Sequence, residues 1–299
     1  MNVFLRAIGF SDYTNTNLLM NYFEATYSDA NNYDEEEFSE PTSDMLSNEV
    51  YQFTNTLPGG IGIRFYASRI ESTDAYYMID SVPFVVSNCP SNIQDVCVEK
   101  KFQGFSYLAS CEHKNVGVSI IFKLLNPLDY IYRTDSNTKP TGPVNTVKFS
   151  GLSIEGTVLL PISQTNNDIK KKKEQIARRS NLVASARTGD ESAIQSLAFE
   201  DMDMYAKLSS RIRNEDIYTI VESSFMPFGL ETDLYSIIAE ITNVREVRNV
   251  WTNEDIYILT LDYNGMYIDT AINKLDIVGE PLKGRRFKGI VWLQGYVEF

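Results

Sequence analysis

The densest group of residues able to do chemistry is Gly279-Glu-Pro-Leu-Lys283-Gly284-Arg285-Arg286-Phe287-Lys288-Gly289, which sets four cations and three glycines around a turn. In a chain of net charge -13, such a group could hold phosphate, nucleic acid or an acidic protein surface through charge-assisted hydrogen bonds. Side chains alternate along a strand, so Arg285 and Phe287 share one face while Arg286 and Lys288 share the other. Trp292 and Tyr296 follow on the same terminal segment, and Trp292 falls on the face of Arg286 and Lys288. Lys283, Arg285, Arg286, Lys288, Trp292 and Tyr296 are therefore the predicted partner-binding set: cations for an anionic partner, aromatic rings for apolar contact. The competing reading is structural, with the cations paired to carboxylates such as Glu280 and Trp292 filling a core.

Other candidates carry less. Leu57-Pro-Gly59-Gly60-Ile-Gly62 could bring a ligand close to the backbone, but β-type residues follow it and no phosphate-binding glycine pattern is completed. His113, the one histidine, lies beside Cys111 and Glu112, yet Cys89, Cys97, Cys111 and His113 lack the paired spacing of a metal site. Asp201 and Asp203, two apart on a helix, point in different directions. The run Lys170 to Lys173, with Arg178 and Arg179, is a second basic feature. Consecutive lysines fan around a helix and no aromatics interleave them, so a solvated face is expected, best suited to contact with the acidic surface elsewhere. No catalytic residue, metal or cofactor is assigned.

Charge and composition bound the rest. A pI near 4.6 makes nucleic acid a disfavoured partner. No apolar run is long enough to span a bilayer, and the start Met-Asn-Val-Phe-Leu-Arg6 lacks a cleavage signal, so a cytoplasmic protein without a membrane partner is expected. Three unpaired-looking cysteines predict reduced thiols.

The elements that must position these residues fall into three parts, giving an α+β class. Residues 1–165 form a β-rich domain, 166–215 a helical connector, and 216–299 a small five-stranded antiparallel barrel, OB-like or related. In the first part, Leu18, Leu19, Tyr22, Phe23 and Tyr27 predict an amphipathic helix. Residues 28–40 read as a mobile acidic loop, and short strands are predicted at 60–66, 76–79, 83–86, 96–99, 104–108, 117–125 and 156–161, with Asn126-Pro127 as a loop. Two helices follow, the second capped by Asp190. Barrel strands are predicted at 217–226, 234–248, 256–263, 266–272 and 285–298, with Asn264-Gly265 as a tight type I′ turn.

Phe4-Leu-Arg-Ala-Ile-Gly-Phe10, Gly117-Val-Ser-Ile-Ile-Phe122, Ser150-Gly-Leu-Ser-Ile-Glu-Gly156, Ala186-Arg-Thr-Gly-Asp190, Phe225-Met-Pro-Phe-Gly229 and Gly284 to Gly295 give the chain a likeness over nearly its full length. It resembles a family of bacterial proteins, mainly from anaerobic Gram-positives, catalogued only as a domain of unknown function. The resemblance implies a cytosolic bacterial origin and no chemistry. The reading is a non-enzymatic binding or protein-interaction protein using the basic turn. The alternatives are an enzyme or small-molecule sensor with a pocket between the two β-rich parts, and single-stranded nucleic-acid binding by an OB-like barrel.

Overall fold

The computed structural model describes residues 3–28, 34–39, 49–70, 75–101, 106–116, 118–135, 146–162, 166–212, 218 and 221–299. A 3-10 turn at Val3–Ile8 leads to α1 (Thr16–Ser28), then β1 (Asp34–Ser39), β2 (Glu49–Leu57), β3 (Ile61–Ile70) and β4 (Ala75–Val85). Next come β5 (Pro90–Asn92), β6 (Gln94–Lys100), β7 (Tyr107–Glu112), β8 (Ser119–Leu124), α2 (Pro127–Asp135) and β9 (Thr146–Leu159). The helices α3 (Asn166–Arg187) and α4 (Glu191–Ile212) follow. The chain ends with β10 (Ser224–Pro227), β11 (Leu234–Arg248), β12 (Asp255–Tyr263), β13 (Met266–Asn273), β14 (Ile277–Val278) and β15 (Arg286–Val297).

Strands β1 to β4 make an antiparallel meander. The larger sheet runs β10-β11-β12-β13-β9-β15-β8-β7-β6, and β15 also pairs with β11. That extra ladder closes β11, β12, β13, β9 and β15 into a five-stranded barrel, which leaves no free edge among them. Phe149, Ile237, Ile241, Leu259, Leu261, Ile272, Phe287, Val291 and Leu293 belong to the main core. The meander lies over the other face of the barrel, where Phe53, Ile63 and Phe65 pack with Phe23 of α1 and with Ile256, Ile258 and Ala271. Arg6, the charge that interrupts the apolar start, grips Asp276 with two bonds of 2.6 and 2.7 Å, tying the first turn to the barrel.

Four barrel strands and the Asn264-Gly265 turn lie where the sequence predicts them, with φ of 52° and 86° at the two turn residues. Several expectations are corrected. The fifth barrel strand is β9, drawn from residues 146–159 rather than 217–226, of which only the end joins the short β10. The barrel is not wholly antiparallel, because β13 and β9 run parallel. The acidic stretch 28–40 is partly a strand: β1 pairs with β2 in an antiparallel ladder, and residues 29–33 and 40 lie outside the described residues. The separate runs at 76–79 and 83–86 are one strand, β4. Asn126-Pro127 opens α2 instead of a loop, proline being well suited to a first helical position, where no N–H is needed.

Candidate interaction site

The basic turn is where the structure departs furthest from a free patch. Arg286 is buried, with 6% exposure, and spends its guanidinium on main-chain carbonyls. Nε and Nη2 donate to Leu160 O at 3.1 and 2.9 Å, Nη1 to Val221 O at 2.6 Å, and Nη2 to Tyr218 O at 2.7 Å. Leu160 precedes α3 and Tyr218 follows α4, so one side chain clamps both feet of the helical pair to the last barrel strand. Burial lowers the Arg286 pKa, partly offset by Glu222. Lys288 joins the same anchor: Nζ donates to Tyr218 Oη at 2.6 Å and sits 4.5 Å from the centre of that ring.

The other predicted residues go elsewhere. Arg285 donates to Glu280 O at 2.7 Å, within its own turn, and Lys283 is exposed. Trp292 is half-buried between the two cores, stacks on Phe4 at 5.2 Å and donates from Nε1 to Asp233 Oδ2 at 2.9 Å. Tyr296 is exposed at the other end of β15, donates to Asp129 Oδ2 at 3.2 Å, and borders an open cleft of about 520 Å³ with Tyr132 and Lys148. The structure thus brings Arg286, Lys288 and the base of the arm together, and leaves Trp292 and Tyr296 apart from them.

The arm itself is an antiparallel helical hairpin. Gly189, with φ of 89°, makes the turn after α3, and Asp190 caps α4 by accepting from Ser192 N at 2.9 Å and Ala193 N at 3.3 Å. Those bonds hold the Asp190 carboxyl below the usual range, the Ser192 side chain first. Arg178 pairs with Glu200 at 3.0 Å and Arg179 with Asp201 at 2.8 Å across the two helices, and Arg187 reaches Glu112 at the end of β7. None of the twelve described α3 side chains is buried, and Ala193 is the only buried one of the fourteen described in α4. Helix α3 carries seven basic and two acidic residues, a net +5, which leaves -18 for the rest of the chain.

A polar cluster that the sequence reading passed over lies between the meander and the barrel. Lys123 of β8 is 5% exposed, donates to Ser106 Oγ at 2.8 Å, and has its pKa pushed down to about 8 by burial, against the pull of Asp80 and Asp233. Burial also raises the Asp80 carboxyl. Gln294, cross-strand partner of Lys123, donates to Pro83 O of β4 at 2.8 Å. The Gln294 bond joins the two layers. The signal was a lone lysine in the apolar run Ile120-Ile-Phe-Lys-Leu-Leu125. Cys111 and His113, by contrast, are poorly poised for chemistry: burial pushes the thiol up to about 12 and the imidazole down. Among the described residues no group of three His, Cys, Asp or Glu is placed to hold a metal, and no helix is long and apolar enough to cross a membrane.

These features define a β-rich protein: a closed five-stranded barrel, covered by a four-stranded meander, with a clamped helical arm. Residues 5–295 match the family described as a domain of unknown function from an E. rectale gene (DUF3881), and the chain belongs to that family. No curated protein and no solved structure matches it.

Proposed function

We propose that this is a non-enzymatic interaction protein whose docking element is the α3–α4 arm, with α3 engaging an acidic protein partner. The observation that carries the reading is the arm's accounting: a helix of net +5 with no buried described side chain, on a chain otherwise at -18. Long helices gain most of their stability from packing an apolar face, so one that packs so little of itself is available to another surface. Arg286 supports the same reading, since a clamp on both feet of the hairpin, with Arg187 held by Glu112 at its turn, presents it in a defined position rather than as a tether. The basic turn therefore serves the interaction from behind, as the anchor, with Lys283 and Arg285 beside the arm's root as further cations. Three consecutive antiparallel strands closed by two others support an OB-like reading of the barrel, which serves as the platform.

The test is capture from nuclease-treated native lysate, comparing wild type with a variant in which Lys170 to Lys173 are all Gln and whose helicity by circular dichroism is unchanged. The expected result is an acidic protein retained by the wild type, reduced at least tenfold with the variant, and rebinding as a purified component in a salt-sensitive manner. Equal capture by both proteins, or capture seen only from lysate left untreated with nuclease, would overturn the reading.

A further inference from the structure

Helix α4 keeps an apolar stripe turned away from its own partner helix. Ile194, Ala198, Met202 and Ala206 recur every four residues and are all exposed, Ile194 at 49% and Met202 at 69%. Phe199 flanks the stripe at 71% exposure. The side of α4 that meets α3 is marked by buried Ala193 and by Glu200, bonded to Arg178. At 100° per residue these two lie about half a turn from the middle of the stripe, while Asp201, paired with Arg179 of α3, lies about 80° from it at the flank, so α3 reaches the edge of the stripe and leaves its middle exposed. No sequence pattern for a binding motif is involved; the face is exposed among the described residues.

The order of side-chain sizes along the stripe says what fits it. Large and small alternate: Ile194, Ala198, Met202, Ala206. Run antiparallel against itself about residue 200, the sequence sets Ile194 opposite Ala206 of the partner subunit and Met202 opposite Ala198 of the partner subunit. Every contact is then large on small, the condition for close helix packing, and a two-fold axis repeats each contact twice. Phe199 lies one residue from the axis, so the two copies of it meet at the edge of the seam. Asp201, on the other flank, is already paired with Arg179 at 2.8 Å, which offsets the repulsion between its two copies. A membrane is a poor occupant, because α4 has four acidic and two basic residues and an anionic bilayer would repel it.

We propose that α4 is a self-docking surface, and that a second copy of this chain covers it through an antiparallel, two-fold α4–α4 seam centred on residue 200. The proposal uses the face opposite α3 and stands whether or not α3 takes an acidic partner. A seam of about 20 Å of helix is shorter than a standard interface requires, so the dimer is weak and forms in the micromolar range. In such a dimer the two basic α3 helices lie on the outer sides, where each stays open.

Sedimentation velocity of the full chain under reducing conditions, from about 1 to 200 μM, reads this directly. The expected result is a concentration-dependent dimer, weakened at least tenfold by Ala198→Glu, which sets a carboxylate against Met202, and likewise by Met202→Lys. Both sites are exposed, and unchanged helicity and melting of the monomer show that each variant is folded. The register has its own test. Ala206→Ile alone sets isoleucine on isoleucine and weakens the dimer, whereas Ile194→Ala with Ala206→Ile exchanges the pair and restores it. A monomer at every concentration, a dimer indifferent to Ala198→Glu, or a double variant no better than Ala206→Ile would overturn the proposal.

Discussion

Lys123 Nζ lies 2.8 Å from Ser106 Oγ in the layer between meander and barrel, a cationic group held with 5% of its surface exposed. Asp80, Asp233, Lys101 and Arg64 act on it, and burial outweighs the two carboxylates, leaving the pKa at about 8 against an ordinary 10.5. Between those values the folded chain holds a neutral amine while the unfolded chain still binds the proton. Stability therefore rises with pH across that window, and the penalty is fully present below it. About 2.5 units corresponds to roughly 3 kcal/mol. Urea unfolding at several pH values, compared with Lys123→Met, should show the wild type gaining about that much on the variant between pH 8 and 10.5. A flat difference would mean that the amine is solvated.

Arg286 makes four bonds to three carbonyls of residues far from it in sequence. Only a planar fork can serve Leu160 on one side of the arm and Tyr218 and Val221 on the other. Arg286→Lys should cost nearly as much as Arg286→Ala, about 2–4 kcal/mol, since either leaves buried carbonyls without donors. Thermal melts give the size. Faster tryptic cleavage within the arm, at unchanged far-ultraviolet signal, would show that the clamp holds the arm rather than the barrel. A lysine variant as stable as wild type would remove the clamp from the account.

Local chemistry was legible where a residue acts on its own neighbours. Asn264-Gly265 dictated its turn, and Asp190 its cap, because both rest on backbone geometry within three residues. What escaped was long-range. Strand β9 begins Thr146-Val-Lys-Phe-Ser-Gly-Leu-Ser, and its polar and glycine positions give no clear strand pattern before residue 156; β13 and β15 bracket it. Arg286 looked like half of an exposed patch because its acceptors lie 65 to 126 residues away. Alternation placed it correctly with Lys288 and Trp292, but could not say that a helical arm covers two of the three. The apolar stripe of α4 was legible in principle, as a four-residue period. It was hidden by a second set at Ile194, Leu197, Tyr205, Leu208 and Ile212, which reads equally well as the packed face.

The chain end is held by Asn126, buried at the start of α2. Its Oδ1 accepts from Val297 N at 3.0 Å, and its Nδ2 donates to Val297 O at 2.8 Å and to Asp129 Oδ2 at 2.7 Å. One amide thus closes the last rung of β15 as another strand would. Asn126→Ala leaves a buried N–H and carbonyl unmatched and should cost about 1–3 kcal/mol. Asn126→Asp should do worse at neutral pH than at pH 4, because the carboxylate would face both Val297 O and Asp129. Hydrogen exchange at Val297, accelerated in Asn126→Ala with the barrel centre unaffected, would confine the loss to this end; acceleration throughout would contradict it.

Gly156 and Gly289 are cross-strand partners in the β9–β15 ladder, and both make room for the ring of Phe287. A Cβ at Gly156 would meet Phe287 Cε2 at 2.5 Å and Ile272 Cδ1 at 2.9 Å, whereas one at Gly289 would meet Phe287 Cζ at 2.5 Å and Glu155 O at 2.6 Å. The two clashes differ in what can yield. Side chains can shift around a methyl at residue 156, but the carbonyl of Glu155 is main chain, at the irregularity in the β9–β15 pairing, and already accepts from Ser153 Oγ at 2.8 Å. Gly156→Ala should destabilise by about 1–2 kcal/mol and Gly289→Ala by about 3 kcal/mol, both through overpacking. Phe287→Leu removes the ring from both sites, so a double-mutant cycle separates the causes. Coupling of at least about 1 kcal/mol is expected between Phe287→Leu and Gly156→Ala, and little with Gly289→Ala, whose clash with the backbone remains. Equal coupling at both positions would show that the ring alone sets the need for glycine, and that the close approach of β9 to β15 does not.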